Sequence, residues 1–176
     1  MQQKGIAIRR LTSSDSLAEL TALLHAAYAE HALAGRKFFA SYQSVDDTGR
    51  RVSKGECWLA VEGDSVVGTV TVAVPFNPPA GFPAGPQAGT FSQLAVLPKH
   101  RGTGLGHRLL CLAEKRIAEL GGNEIVIDTS SLASELIAWY ERRGYRPVGR
   151  WKWNVTNYES VVLSKRLVSS GDPAAA

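Results

Sequence analysis

The stretch Leu94–Leu110, LAVLPKHRGTGLGHRLL, holds the residues whose types and spacing are best suited to chemistry. An apolar run ends at Pro98, a basic turn follows, and glycines at 102, 104 and 106 lead into an amphipathic segment. The first N–H groups of a helix have no intrahelical partner, and the helix dipole places partial positive charge there. Glycine lets such a backbone approach a phosphate closely, so the turn is a candidate anion cradle to which Arg101 and Arg108 add charge. A tight strand-to-helix turn would use the same glycines. The spacing is neither GxxxxGK[ST] nor GxGxxG, because the three glycines alternate. Downstream, WYERRGY carries Tyr140, a phenol able to give a proton, although Ala133, Ile137 and Tyr140 share a helical face as a packed aromatic would. Asp128 closes the apolar run EIVID beside Thr129-Ser130-Ser131, where it suits a proton acceptor or a strand-end cap equally.

Arg101-Gly102-Thr103-Gly104-Leu105-Gly106 resembles the R/Q-x-x-G-x-G/A signature of the GNAT superfamily of acyl-CoA-dependent N-acyltransferases. LAVLP before it and WYERRGY after it agree with that family. The resemblance covers Ile6 to Leu167 and is specific between Phe91 and Trp151. It implies that the LAV strand splays from a parallel partner, Glu124–Asp128. The pantetheine arm of acetyl-CoA would then lie against the main chain of Leu94, Ala95 and Val96. It also implies that the pyrophosphate sits on the N–H groups of Arg101, Gly102, Thr103, Gly104, Leu105, Gly106 and His107. Where relatives commonly have a pantetheine-binding asparagine this chain has Ala133, with Ser131 or Ser134 as substitutes. Tyr140 holds the position of the acid that protonates the leaving thiolate. The glutamate that many relatives keep before LAV is missing from Phe91-Ser92-Gln93. Asp128 then holds the alternative position for the base, and a water chain would serve as well.

The resemblance thus implies an N-acetyltransferase that moves an acetyl group from acetyl-CoA, as cosubstrate and without a metal, to a primary amine of a small molecule or peptide by direct attack. Two other classes stay open: a CoA-binding sensor on the same fold, and a nucleic-acid-binding module. The second is disfavoured because no aromatics interleave the basic residues. The acceptor is unnamed, and both a monomer and a homodimer are compatible with the motifs.

The elements that must position these residues follow from periodicity. Ile6–Leu11 alternates as a strand, and Thr12-Ser13-Ser14-Asp15 offers capping oxygens for a helix through Leu17, Leu20, Leu24 and Tyr28. Glu30–Lys54 reads as loops with a short helix. CWLAVEGD and SVVGTVTVAV form a hairpin about Gly63-Asp64. Five prolines between Pro75 and Gly89 make that stretch a long connection, expected with Glu30–Lys54 to line the acceptor site. A helix follows the glycine turn through Leu105, Leu109, Leu112, Ala113, Ile117 and Leu120, with Cys111 read as core. EIVID is a buried strand, 132–143 a helix, and YRPVGRW and ESVVLSKRL are strands, with Trp151 and Trp153 on one face. His25 and His31 suit packing or surface roles. The order β-α-(α)-β-β-β-α-β-α-β-β predicts a mixed α/β fold: a mostly antiparallel sheet splayed between two parallel strands, with helices on both faces.

The chain has 176 residues, 44% hydrophobic and 20% charged, which excludes a disordered or fibrous protein. One domain over 1–168 and a disordered tail over 169–176 are expected. Apolar runs are too short for a membrane span, the N-terminus lacks a signal-peptide core, and Cys57 and Cys111 form no CxxC or Cys/His cluster. A cytoplasmic protein is expected, without membrane or nucleic-acid partners. The net charge is +4, and no Asp or Glu occurs between Ser65 and Ala113, a segment suited to a phosphate-bearing partner.

Overall fold

A computed structural model describes residues 5–168, so the expected tail at 169–176 lies outside the described residues. The elements are β1 Ala7–Arg10, α1 Leu17–Leu33, α2 Val45–Val52, β2 Glu56–Glu62, β3 Ser65–Ala73, β4 Ala88–Val96, α3 Leu105–Glu119, β5 Glu124–Ser130, α4 Ser134–Glu141, β6 Arg146–Trp151 and β7 Ser160–Arg166. One seven-stranded sheet runs β1-β2-β3-β4-β5-β7-β6. Every neighbouring pair is antiparallel except β4 and β5. This is the mixed fold the element order predicts.

Alternation along β2 decides what each face carries. Cys57 and Leu59 pack with Leu20, Leu24 and Ala95 under α1, whereas Ala60 packs with Val70, Val72 and the α3 residues on the other face. In α3 the buried residues Leu105, Leu109, Leu110, Ala113 and Ile117 form the core stripe, each worth about 1.5–3 kcal/mol for the larger side chains. Two expectations fail on this helix. Cys111 follows Leu110 by one position, about 100° around the helix, and is exposed rather than core. Leu120 lies beyond the last turn and is 42% exposed.

The other differences are local. Ser16, not Asp15, caps α1 by accepting from the Glu19 N–H at 3.2 Å. Asp15 instead makes a paired contact with Arg9 at 2.7 and 2.8 Å and accepts from the Thr12 N–H, tying β1 to the helix entry. The helix expected over 132–143 is shorter, Ser134–Glu141, because Ala133 has left the helical region (ψ 63°). The proline-rich connection ends sooner than expected, since Ala88 and Gly89 already pair within β4. Its Phe82 is buried with Ala88, Val126 and Val162, and stacks near Trp151 and Trp153 at 5.3 and 5.7 Å between ring centroids. That connection therefore covers β5 and β7 on the face opposite α3. Trp153 stands two residues beyond the end of β6. No helix among the described residues is long and apolar enough to cross a membrane.

The sheet opens at its centre. β4 and β5 pair only at Ala88↔Glu124 and Gly89↔Ile125, while β5 pairs with β7 along its whole length. Gly89 stands at the last paired position, and a Cβ there would lie 2.5 Å from Ile117 Cγ2 and 2.8 Å from Val74 Cγ2. A larger side chain must push α3 off the sheet at the point where the strands part. Gly89→Val should lower stability by about 1–3 kcal/mol, read as a lower urea midpoint with an unchanged slope.

Candidate functional site

Past Gly89 the edge of β4 that faces β5 loses its ladder partner. Against β3, Thr69 pairs with Ala95 but Thr71 pairs with Ser92, so β4 carries one extra residue there. Gln93 takes the strain with φ 55°, the one positive φ at a non-glycine residue among those described. Its amide is fixed by Gln43 Nε2, which donates to Gln93 Oε1 at 2.8 Å, and by its own donation to Thr71 Oγ1 at 3.2 Å. The Leu94 carbonyl, next in line, accepts the Tyr28 hydroxyl from α1 at 2.9 Å. The bulge thus turns β4 away from β5 and is held in place by the α1–α2 layer.

A groove of about 860 Å³ runs from this opening to the start of α3. Leu94, Ala95 and Val96 form one wall, and Ala133, Ser134, Trp139 and Tyr140 form the other. Arg101, Gly102, Gly104, Gly106 and His107 close the end. Gly104 is the N-cap of α3 in the left-handed region (φ 84°), and no side chain caps the helix. Gly102 is also left-handed (φ 74°), and a Cβ on either glycine would meet open space. The helix therefore presents unpaired N–H groups toward the groove. The side chains of Thr103 and Leu105 are turned to other uses: Thr103 Oγ1 donates to the His100 carbonyl at 2.7 Å, and Leu105 is buried in the core.

The basic side chains are less free than their sequence suggests. Arg101 donates to the Ala27 carbonyl at 2.5 Å and pairs with Glu30 at 2.8 Å, tying α1 to the turn. Arg108 reaches the Ile6 carbonyl at 3.2 Å. Arg143 was not singled out from the sequence, although it lies within WYERRGY; it lines the groove, stacks on Trp139 at 3.8 Å and reaches His107 Nδ1 at 3.3 Å. His107 Nε2 in turn lies 3.5 Å from Cys111 Sγ.

Tyr140 is buried among Trp139, Tyr145 and Phe91, and its hydroxyl makes no hydrogen bond among the described residues. Burial, with the nearby Tyr28 and Asp128 groups, raises its pKa above the ordinary phenol range, so it keeps its proton. Asp128 lies on β5, outside the groove lining, and accepts from Trp153 Nε1 at 2.8 Å. Burial raises its pKa, against the opposing influence of the Trp153 bond and the Arg51 charge. A carboxylate so placed takes a proton more readily than a solvated one. His25 and His31 have packing partners: His25 Nε2 meets the Gln43 carbonyl at 2.8 Å, and the His31 ring stacks on Phe38 at 4.4 Å. No group of three metal-ligating side chains occurs among the described residues.

Residues 19–145 match the family model described as the acetyltransferase (GNAT) family. A mouse protein, probable N-acetyltransferase family 8 member 5, is 30% identical over 108 residues, which are 58% of this chain and 46% of the mouse protein. Rat N-acetyltransferase 8B is 30% identical over 117 residues, 64% of this chain and 51% of its own. The chain spans about half the length of these curated relatives. Among solved structures, a Pyrococcus horikoshii protein superposes with a TM-score of 0.73 at 20% identity, covering 94% of this chain and all of its own. A GNAT family acetyltransferase from Elizabethkingia anophelis with acetyl-CoA bound superposes at 0.65 and 16% identity, covering 95% of this chain and 100% of its own. At such identities the superpositions speak for the fold.

The partly buried Asp128 leads to a pH-dependent stability. With its folded pKa raised, its contribution is fully present below the unfolded value near ~3.9 and is lost as pH rises through the folded value. At neutral pH the chain thus holds a desolvated charge. Asp128→Asn removes that charge and leaves an oxygen for the Trp153 indole. The variant should melt higher than the parent at neutral pH, and the gain should shrink as pH falls from neutral through the raised folded value and be gone below ~4; melting curves across that range measure it.

Proposed function

Because the chain belongs to the GNAT acetyltransferase family, we propose that it carries an acetyl group from acetyl-CoA to a primary amine of a small molecule or peptide by direct attack. The observation that carries this reading is the groove, which joins an unpaired strand edge to an uncapped helix N-terminus. An unpaired edge takes an extended amide-bearing arm as it would take another strand. The helix start suits a pyrophosphate, and the open space at Gly102 and Gly104 is where such a group needs room. Acetyl-CoA, when bound, supplies a thioester whose acyl carbon an amine can attack.

The chain's own residues do the rest. The main chain of Leu94, Ala95 and Val96 aligns the arm, and the N–H groups of Arg101 to His107 hold the phosphates. Ser134, at the first position of α4 and on the groove wall, faces the arm. Tyr140 keeps its proton until the thiolate leaves and then donates it. Asp128 takes the proton that the arriving ammonium must lose, directly or through water. A sensor without turnover is the second reading, favoured by Gln93, a neutral amide committed to Gln43 and Thr71, in the strand before LAV.

Turnover of any amine excludes the sensor, and two substitutions test the roles assigned here. Tyr140→Phe deletes one hydroxyl from a packed ring and should lower kcat on the order of 100-fold or more, with acetyl-CoA affinity unchanged in calorimetry. A loss below about threefold, roughly 0.7 kcal/mol, would make the tyrosine structural. Gly106 is the second residue of α3, and its Cβ would meet only Val96 Cγ2 at 3.9 Å. Gly106→Ala should therefore stabilise the fold by up to about 1 kcal/mol while weakening acetyl-CoA about tenfold, roughly 1.4 kcal/mol. Opposite signs in melting and binding identify the groove as the ligand site.

A further inference from the structure

One charge on the α1–α2 face is not accounted for by the fold. Arg51, near the end of α2, has no carboxylate within 4.0 Å among the described residues. Its neighbour Arg50 takes Asp47 instead, at 2.5 Å. Arg51 is held in place by neutral groups: Nη1 donates to Gln43 Oε1 at 2.6 Å, and the guanidinium lies 5.4 Å from the Phe39 ring centroid. Gln43 is 1% exposed and donates to both Gln93 and Thr48, so it cannot turn away. Burial lowers the pKa of Arg51, and the groups whose charges act on it are Tyr28, Asp128, Asp47 and Tyr158. An arginine does not shed its proton to escape a dry site, so a partly buried, unpaired guanidinium is a ready partner for an anion.

The segments beside Arg51 are tied to one another. The connection between α1 and α2 is fastened to the one between β6 and β7: Asn157 accepts from the Lys37 N–H at 2.8 Å and donates to the Gly35 carbonyl at 2.9 Å. Phe38 packs on Tyr158 at 5.1 Å, and the Tyr42 hydroxyl donates to the Val155 carbonyl at 2.5 Å. This roof lies on the face that carries Gln93 and Asp128, where the sheet has opened. Asp128 and Arg51 carry opposite charges within electrostatic reach of each other and without an ion-pair contact, and Arg51 is tied through Gln43 to Gln93 at the bulge of β4.

We propose that the acceptor is an α-amino acid or amino-acid derivative with a free carboxylate, seated with that carboxylate on Arg51 and its amino group toward Asp128 and Tyr140. Phe39 and Tyr158 suit an apolar or aromatic side chain. This rests on the acyl-transfer reading above. In the reaction the ammonium gives one proton to Asp128, the amine nitrogen bonds to the acyl carbon, and the carbon–sulfur bond breaks. The thiolate takes the Tyr140 proton; the second proton on nitrogen returns to Tyr140, and Asp128 releases its own to water. Arg51 is a specificity residue and touches no reacting atom.

The test is thiol release from acetyl-CoA with phenylalanine, leucine and methionine, each beside its carboxamide and its decarboxylated amine. The amino acids should exceed their neutral partners on the order of 10- to 100-fold in kcat/KM, carried by KM. Hydrocinnamate, a carboxylate without an amine, should compete with phenylalanine in the unaltered protein. Arg51→Gln should collapse the preference while the KM for acetyl-CoA stays unchanged, and Arg51→Lys should restore part of it. Equal or better turnover of the carboxamides, no competition by hydrocinnamate, or an intact preference in Arg51→Gln each overturns the inference and leaves acyl transfer standing. Acetyl-CoA binding without turnover of any amine overturns both.

Discussion

The parting of β4 from β5 is the constraint on which the rest depends. Two register pairs, Ala88↔Glu124 and Gly89↔Ile125, hold the halves of the sheet together as a parallel ladder, and then the ladder stops. A backbone edge without a partner is costly unless it meets water or a ligand. Here the separation is fixed from several sides. The Ile117 side chain of α3 leaves no room for a Cβ at Gly89, the bulge at Gln93 turns the strand, and Tyr28 holds the Leu94 carbonyl from the opposite face. The opening is therefore a built feature, because closing it would require giving up contacts in both helical layers.

Electrostatics divides the opening into two sides. At the start of α3 the fixed dipoles of backbone N–H groups add to the charges of Arg108 and Arg143, while Arg101 is balanced by the Glu30 carboxylate. Fixed dipoles of this kind need no reorganisation when an anion arrives. On the face of α1 and α2, full charges stand on partly buried side chains. Asp128 is bound by an indole N–H and Arg51 by an amide oxygen, so neither charge is neutralised by a partner of opposite sign. Tyr140 lies between the two sides with its proton retained by burial.

The proline-rich connection shows how a segment without secondary structure can still matter to a site. Phe82 and Phe76 anchor it on the β5–β7 face, where Trp151 and Trp153 complete an apolar cover. The indole N–H of Trp153 projects from that cover onto Asp128. The apolar packing thereby sets both the burial that raises the Asp128 pKa and the hydrogen bond that opposes the rise.

The sequence by itself determined the element order, the glycine turn at the head of α3 and the place of the tyrosine at the end of α4. These are local properties: periodicity of two or of 3.6 residues, glycine where φ is positive, and a helix that stops at Gly121. It also misassigned what local pattern cannot decide. Cys111 shares the apolar run of α3 but points off its buried stripe, and Arg101 looks like a free cation until Glu30 and Ala27 are brought beside it. Only the tertiary structure decided that Gln43 meets Gln93, 50 residues away, that Trp153 meets Asp128, and that Arg51 is left without a carboxylate. Such pairings depend on which strand lies beside which and how far each helix slides along the sheet. No residue's immediate neighbours in the chain encode that, because it is fixed by the packing of both layers at once.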